Sequence, residues 1–210
     1  MTQVKICGLS TLETVQAALD AGAEMIGLNF YPKSPRYVTP EKAAGLAAQA
    51  RGGTKIVVLV VDADDALIKQ IITATEPDYI QVHGSETPER VAEIGKTFGL
   101  PVIKAIKVKE SSDVASAKAY KDVASLILFD AKAPEDLLPG GNGLSFDWNL
   151  LKGKDGLFML SGGLSPENVG RAIQLTKAPI VDVSSGVETT PGNKDIALIR
   201  SFIARAKAGR

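Results

Sequence analysis

The sequence is poor in the residues that build disulfide frameworks and zinc sites. Only one of its 210 residues is a cysteine, Cys7, so no disulfide can form within the chain. There is also only one histidine, His83, and one cysteine with one histidine cannot supply the ligands of a Cys/His zinc site. We therefore expect neither of these stabilising devices, although a metal site built from carboxylates is not excluded by counting.

The chain also lacks a net charge and a long apolar run. Lys and Arg together number 24, and so do Asp and Glu, which argues against a general attraction to nucleic acid or to an anionic membrane. The longest apolar run, residues 56–61, is far shorter than the roughly 20 residues that a membrane helix needs. Because the first residues do not resemble a targeting segment, we expect a cytoplasmic protein that binds neither nucleic acid nor membrane.

What the chain does contain is a repeated pattern of short apolar runs, each followed by a longer amphipathic stretch. The runs are rich in Val, Ile and Leu and do not alternate with polar residues, which is typical of parallel strands buried on both faces. The predicted strands cover residues 4–6, 25–30, 55–61, 79–82, 102–106, 125–129, 157–160 and 180–183. The predicted helical stretches cover residues 11–21, 40–49, 64–74, 87–98, 112–120, 148–151, 166–175 and 195–207.

Eight such units in 210 residues use roughly 26 residues each, close to the minimum for a strand–helix repeat. No linker and no block of like charge divides the chain. We predict an α/β fold in which residues 1–210 form one domain, a (β/α)8 barrel with eight parallel strands. The alternative is an open doubly wound sheet, which usually carries a glycine fingerprint directly after its first strand, whereas the glycine-rich turns here come late.

Two glycine-containing turns follow the last two predicted strands. One carries Gly162 and Gly163, and the other carries Ser185 and Gly186. Backbone N–H groups in such turns attract anions, and the loops after strands seven and eight of a barrel often bind phosphate. These turns predict a phosphate site. The long segment of residues 130–147 is also expected to be functional, because long loops in compact domains usually are.

Several reactive side chains end predicted strands, at the edge where barrels place their active sites. Cys7 ends the first strand, and strand alternation predicts that Lys5 and Cys7 face the barrel interior together. Asp130 ends strand six and suits acid–base chemistry. Asp182 ends strand eight and is expected to hold the phosphate loop or to join a polar network. The simpler alternatives are a buried apolar cysteine and an aspartate that caps a turn.

Two further candidates are weaker. Arg36 follows strand two in a segment stiffened by two prolines, from which it can clamp a carboxylate in a bidentate pair. Considered alone, it is better interpreted as a surface arginine. His83 ends strand four; a lone histidine is more often structural, but its strand-end position favours contact with a substrate.

Taken together and in this order, the motifs resemble the phosphoribosylanthranilate isomerase family, from residue 4 to about residue 205. The segments that carry the resemblance are Lys5-Ile-Cys-Gly8, Ser34-Pro-Arg36, Gln81-Val-His-Gly84, Asp130, Ser161-Gly-Gly-Leu164, Asp182-Val-Ser-Ser-Gly-Val-Glu188 and Pro191-Gly-Asn-Lys-Asp195. The resemblance implies a step of tryptophan biosynthesis, the Amadori rearrangement of N-(5-phosphoribosyl)anthranilate to 1-(2-carboxyphenylamino)-1-deoxyribulose 5-phosphate. It implies no metal, no cofactor and no partner beyond this phosphorylated substrate, in a monomer or a homodimer.

The resemblance also implies roles for individual residues. Cys7 would be the general base, Asp130 the general acid and Arg36 the group that holds the anthranilate carboxylate. The phosphate would rest on backbone N–H groups around Gly163, Ser185 and Gly186, with Gly143 nearby.

This sequence departs from the family at two points. Residues 57–62 lack the usual phenylalanine, which we expect to alter packing over the anthranilate ring, and Asn142 replaces the usual threonine.

Two other functions stay open at this point. One is another phosphosugar barrel enzyme, such as a ribulose-phosphate epimerase or an indoleglycerol-phosphate synthase. The single histidine argues against the first, which resembles metal enzymes with several histidines, and Cys7 on the first strand argues against the second, which would need a lysine acid. The other is a non-catalytic phosphosugar-binding barrel, which would need neither Cys7 nor Asp130.

Overall fold

Eight parallel strands close into a barrel in the computed structural model, which describes residues 1–132 and 140–209. The strands are β1 Gln3–Cys7, β2 Met25–Asn29, β3 Lys55–Val60, β4 Tyr79–Val82, β5 Val102–Val108, β6 Leu126–Ala131, β7 Phe158–Leu160 and β8 Ile180–Val183. They follow one another around the barrel in chain order, and β8 pairs with β1, so Lys5 lies beside Asp182. The predicted (β/α)8 barrel is confirmed, and the alternative of an open sheet is wrong.

Helices connect the strands on the outside of the barrel. They are α1 Leu12–Asp20, α2 Pro40–Ala50, α3 Asp65–Thr75, α4 Pro88–Phe98, α5 Ser111–Ser116, α6 Val169–Thr176 and α7 Ile196–Ala208. Short 3₁₀ helices cover Ala117–Tyr120, Trp148–Leu151 and Ser185–Val187. The helical stretch predicted from residue 148 is therefore a single 3₁₀ turn. Residues 133–139, in the long segment after β6, lie outside the described part of the chain.

The helix after β7 begins three residues later than the predicted start at residue 166. The Oδ1 atom of Asn168 accepts a hydrogen bond from the backbone N–H of Ser165 at 2.8 Å, and its Nδ2 donates to the carbonyl oxygen of Gly163 at 2.8 Å. Asn168 thereby closes a turn ahead of the helix. A serine followed by a proline begins either a turn or a helix, and here the asparagine side chain decides for the turn.

The barrel interior is apolar at one end and polar at the other. A cluster of buried side chains fills the lower interior: Met25, Val57, Ile103, Ala105, Leu126, Leu128, Met159 and Ile180. Nearer the carboxyl ends of the strands several inward positions are polar, and they include the fully buried Lys5 and Gln81. Several strands therefore present an apolar side chain to the lower interior and a polar one to the upper interior, whereas β3 stays apolar at Leu59.

One element beyond the barrel is not among the predicted ones. After β8 and the 3₁₀ turn, β9 Glu188–Thr190 and β10 Asn193–Lys194 form an antiparallel two-stranded sheet. Among residues 1–132 and 140–209, no helix combines the length and the apolar character required to cross a membrane. The one-domain organisation, the cytoplasmic location and the oligomeric state stay predictions.

Candidate active site

A cavity of about 490 Å³ lies at the carboxyl ends of the barrel strands. The side chains of Cys7, Arg36, His83, Asp130 and Asp182 all line it. Cys7, Asp130 and Asp182 lie on strands, whereas His83 directly follows β4 and Arg36 lies on the loop after β2. All five are buried. The structure thus brings together every side-chain candidate that the strand ends suggest, and it excludes the interpretation of Arg36 as a surface residue.

A second cavity of about 350 Å³ adjoins the first and shares Asp130, Ser161 and Asp182 with it. Four of the residues predicted for phosphate binding line this second cavity: Gly143, Gly162, Gly163 and Ser185. The backbone of Gly162 and Gly163 has φ values of 86° and 64°, a left-handed conformation that a residue with a side chain adopts at a cost. The glycine-rich turn after β7 therefore brings its backbone to the wall of the cavity.

The predicted residue Gly186 does not line either of these two cavities. It packs instead against the carbonyl oxygen of Leu164, which a Cβ atom at this position would overlap. Gly186 thus lets the turns after β7 and β8 pack directly against each other. Its contribution is the close approach of two loops.

The thiol of Cys7 lies in a charged setting. Nζ of Lys5 donates to Oδ1 of Asp182 at 2.9 Å, and Oγ of Ser161 donates to Oδ2 of Asp182 at 3.2 Å. Burial raises the pKa of the Cys7 thiol, the charge of Lys5 opposes this effect and the charge of Asp182 adds to it, so that the pKa lies above its ordinary value. Asp182 joins the polar network, one of the two roles expected for it.

Asp130 belongs to a chain of three inward-facing side chains. Its Oδ2 atom lies 3.2 Å from Nε2 of His83, and Nδ1 of His83 lies 3.1 Å from Nε2 of Gln81. Oδ1 of Asp130 accepts a hydrogen bond from the backbone N–H of Ala131 at 2.9 Å. Oε1 of Gln81 is buried and has no hydrogen-bond partner among the described residues. These contacts hold the carboxyl group of Asp130 in one orientation at the cavity wall.

Arg36 makes its bidentate pair with a carboxylate of this chain. Nε and Nη2 of Arg36 donate to Oε1 and Oε2 of Glu188 at 2.7 and 2.8 Å, and Nη2 also donates to the carbonyl oxygen of Gly141 at 3.0 Å. Oε1 of Glu188 accepts a further hydrogen bond from Nζ of Lys194 at 2.7 Å. The sequence motifs contain Glu188 and Lys194, but no pattern in them points to a pairing with Arg36.

Gln81 is a further residue that the sequence interpretation missed. It stands two residues before His83 on β4, so strand alternation alone places it on the same inward face. The alternation that relates Lys5 to Cys7 is thus the signal that identifies Gln81. Glu188 and Lys194 have no comparable signal, because they belong to a small sheet outside the barrel.

The two departures from the family pattern also lie at the cavities. Leu59 and Val61 line the first cavity, in the segment where the family carries a phenylalanine. Asn142 lines the second cavity.

Within residues 1–132 and 140–209, no three His, Cys, Asp or Glu side chains are grouped as a metal ion would require. The expectation that the reaction needs no cofactor stays a prediction.

The closed barrel, with a thiol, a carboxyl group, a histidine and an arginine around a cavity at its carboxyl edge, defines the class of this protein as a (β/α)8-barrel enzyme. The family model for N-(5'-phosphoribosyl)anthranilate (PRA) isomerase matches residues 4–205. The chain belongs to this family, and it is an isomerase of tryptophan biosynthesis.

Individual relatives agree over nearly the whole length. The chain is 54% identical to the N-(5'-phosphoribosyl)anthranilate isomerase of Paracoccus denitrificans over 208 residues, which cover 98% of this chain and 97% of the relative. The crystal structure of the phosphoribosyl anthranilate isomerase from Thermotoga maritima matches with a TM-score of 0.89 at 36% identity, covering 99% of this chain and 100% of that one.

A further solved structure contains a ligand. It is a phosphoribosyl anthranilate isomerase in complex with reduced 1-(o-carboxyphenylamino)-1-deoxyribulose 5-phosphate. It matches with a TM-score of 0.86 at 34% identity, covering 99% of this chain and 100% of that one.

Proposed function

We propose that this protein converts N-(5-phosphoribosyl)anthranilate into 1-(2-carboxyphenylamino)-1-deoxyribulose 5-phosphate, with Cys7 as general base and Asp130 as general acid. The observation that carries this proposal is that both side chains line one cavity, which adjoins a second cavity walled by glycine-rich turns. The substrate has a reacting sugar between a phosphate and a carboxylated ring, so it needs two such regions. The reaction needs no cofactor, because it moves only protons within one molecule.

The two cavities suggest how the substrate lies. Its phosphate occupies the second cavity, beside the backbone of Gly163 and Ser185 and near Gly143. Its aromatic ring lies in the first cavity, where Leu59 and Val61 provide an apolar wall and Arg36 faces the carboxylate. The sugar then lies between them, at the residues that both cavities share.

Ring opening is the first chemical step. Asp130 donates its proton to the ring oxygen of the furanose, the bond between C1 and that oxygen breaks, and an iminium forms between C1 and the nitrogen. The contacts of Asp130 with His83 and with the backbone of Ala131 keep its carboxyl group oriented for this transfer. A sugar hydroxyl in this region supplies the hydrogen-bond donor that Oε1 of Gln81 otherwise lacks.

Proton removal from C2 is the second step. The Cys7 thiolate takes this proton, the electrons of the C–H bond form a double bond between C1 and C2, and those of the iminium return to nitrogen. The resulting enolamine gains a proton at C1 and loses one from the hydroxyl on C2 to give the ketone. Since no proton is consumed overall, both catalytic groups return to their starting state. Lys5, held by Asp182, places a positive charge beside the thiolate.

The positions of the two catalytic strands suit this chemistry. β1 and β6 are separated by β7 and β8 in the closed barrel, so Cys7 and Asp130 approach the cavity from different sides. An acid and a base that act on neighbouring atoms of one sugar must avoid neutralising each other, and separate strands meet this need.

A fluorescence assay tests the proposal. The disappearance of freshly prepared phosphoribosylanthranilate is followed with and without the protein, without added metal or cofactor, at low and at high inorganic phosphate. We expect turnover that phosphate inhibits, because phosphate competes for the second cavity. A folded protein with no turnover would contradict the proposal and favour a phosphosugar-binding barrel. Turnover that phosphate leaves unchanged would contradict the phosphate site alone.

A further inference from the structure

Glu188 is a buried acid to which the proposed mechanism assigns no role. The side chains of Arg36 and Glu188 are only 5% and 3% exposed. Two nitrogen atoms of the guanidinium face the two oxygen atoms of the carboxylate at 2.7 and 2.8 Å. A bidentate pair of this kind fixes both the position and the plane of an arginine, which a single hydrogen bond does not do.

Glu188 is itself held from a second side. The side chain of Lys194 is 1% exposed, and its Nζ donates to Oε1 of Glu188 at 2.7 Å. The same Nζ lies 2.8 Å from the carbonyl oxygen of Ser184 and 3.2 Å from Oγ of Ser184. The backbone N–H of Gly192 donates to Oε2 of Glu188 at 3.1 Å. Arg36 and Lys194 together lower the pKa of Glu188 against the opposing effect of burial, so the acid is a carboxylate at neutral pH.

The positive charges of Arg36 and Lys194 are not fully cancelled by the negative charge of Glu188. The three oxygen atoms around Nζ of Lys194 match the three donors of an ammonium group. Burial lowers the pKa of Lys194, and Glu188 opposes this effect. When Lys194 is protonated, two cations share one carboxylate, and Arg36 is the cation that lines the first cavity. A buried cluster with an excess positive charge gains from a bound anion. The cluster of Arg36, Glu188 and Lys194 is thus suited to a carboxylate ligand on its cavity side.

The chain connectivity links this cluster to the proposed phosphate site. The 3₁₀ turn Ser185–Val187 leads directly into β9, whose first residue is Glu188, while Arg36 lies on the loop after β2. One connection after β8 therefore carries both the backbone proposed for the phosphate and the side chain that orients Arg36. It sets the separation between the two places where the substrate's anionic ends are expected to bind.

We infer that Glu188, held by Lys194, is a positioning residue that orients Arg36 toward the substrate carboxylate and so selects an arylamine with a carboxylate next to its nitrogen. This inference rests on the proposed function and assigns the origin of its specificity. It predicts that loss of Glu188 weakens recognition of the carboxylate and leaves recognition of the phosphate and sugar intact.

The test uses two stable product analogues and the whole protein. One is reduced 1-(o-carboxyphenylamino)-1-deoxyribulose 5-phosphate, and the other is its phenylamino counterpart without the carboxylate. For Glu188→Gln we expect the KM for the substrate and the Kd for the carboxylated analogue to rise at least about tenfold. A change of this size corresponds to the loss of one charge-assisted hydrogen bond. The Kd for the counterpart and the inhibition by inorganic phosphate stay as in the wild type. Glu188→Asp recovers part of the loss because it keeps the charge.

Two further variants keep the test decisive. Glu93→Gln removes an exposed ion pair with Arg90 on α4 and should change nothing. Arg36→Lys lacks the bidentate fork, so adding Glu188→Gln to it should cost little more if Glu188 acts through Arg36. If Glu188→Gln does not fold, the same selective loss is measured in Glu188→Asp.

The possible failures are distinguishable. Equal weakening of both analogues, or no weakening of either, would overturn the inference while an active wild type left the proposed function standing. Full additivity in the double variant would also overturn it. A wild type that neither turns over the substrate nor binds either analogue would overturn the proposed function and the inference together.

Discussion

Nζ of Lys5 lies 2.9 Å from Oδ1 of Asp182, and both side chains are buried inside the barrel. The positive charge that would stabilise a Cys7 thiolate is therefore shared with a carboxylate. Burial raises the pKa of the Cys7 thiol, Lys5 opposes this and Asp182 adds to it. Because the pKa is raised, the thiol is mostly protonated at neutral pH, and the proposed base is the small thiolate fraction.

The first prediction concerns this titration. Because Cys7 is the only cysteine, the thiolate absorbance near 240 nm, measured against Cys7→Ala, reports this group alone. Since the pKa is raised, we expect the absorbance to increase at a pH above the ordinary thiol value, with kcat/KM rising in parallel. Lys5→Met should move the midpoint further upward, because it removes a positive charge and leaves Asp182. Lys55→Met, at an exposed ion pair, should not move it. A midpoint at or below the ordinary value would contradict the account of the thiol.

The second prediction concerns the acid. Asp130→Asn keeps the shape of the side chain but removes the acidic proton, so we expect kcat to fall by roughly 10²–10⁴-fold, the usual contribution of an acid or base. The Kd of the carboxylated product analogue should change little, because phosphate and carboxylate contacts remain. Asp155→Asn, at an exposed position, serves as the control. Near-normal kcat in Asp130→Asn would remove Asp130 from the mechanism.

The third prediction concerns the space around the thiol. A Cβ atom on Gly27 would lie 2.8 Å from Sγ and 3.1 Å from Cα of Cys7, so Gly27→Ala must displace the thiol. We expect kcat to fall about tenfold or more and the free energy of unfolding to drop by about 1–3 kcal/mol, as in other overpacked cores. Gly45→Ala on α2 is the matched control, since nothing lies within 4 Å of its Cβ. It should keep full activity and gain about 0.5–1 kcal/mol. Unchanged activity in Gly27→Ala would contradict the need for a fixed thiol position.

The fourth prediction concerns stability and pH. Glu86 pairs with Lys104 at 2.7 Å, and both side chains are buried. Burial raises the pKa of Glu86, but Lys104 and backbone hydrogen bonds to the carboxylate together lower it, so the pKa lies below its ordinary value of 4.5. A depressed carboxyl pKa contributes stability above the unfolded pKa and loses it as the pH falls through the folded one. Glu86→Gln should therefore cost about 3 kcal/mol near pH 7 and progressively less below about pH 4.5.

Denaturant unfolding at several pH values measures this effect. Glu93→Gln, at an exposed ion pair, should cost much less at every pH. A loss in Glu86→Gln that is independent of pH would show that the packing of this side chain, rather than its charge, stabilises the loop after β4.

Strand ends are the part of the site that the sequence predicts well. Cys7, His83, Asp130 and Asp182 each follow an apolar run, and the closed barrel brings the ends of all such runs to one edge. Period-two alternation extends the prediction to Lys5, which faces inward as expected. These inferences succeed because they depend on local pattern and on a rule that applies to the whole fold.

Contacts between loops are the part of the structure that the sequence does not predict. The pairing of Arg36 with Glu188 joins residues 152 positions apart, and neither lies on a barrel strand. The sheet of β9 and β10 is too short to show an alternating pattern. The start of α6 depends on one side-chain hydrogen bond of Asn168, which overrides the proline signal. Such contacts are decided by tertiary geometry, which composition and periodicity do not contain.

The role of Cys7 is tested by measuring turnover of phosphoribosylanthranilate by Cys7→Ala and by the wild type, together with the Kd of the reduced product analogue for both. If Cys7 removes the proton from C2, the variant folds, binds the analogue with nearly wild-type affinity and loses roughly 10²–10⁴-fold in kcat. A Cys7→Ala protein with wild-type kcat would show that another group is the base.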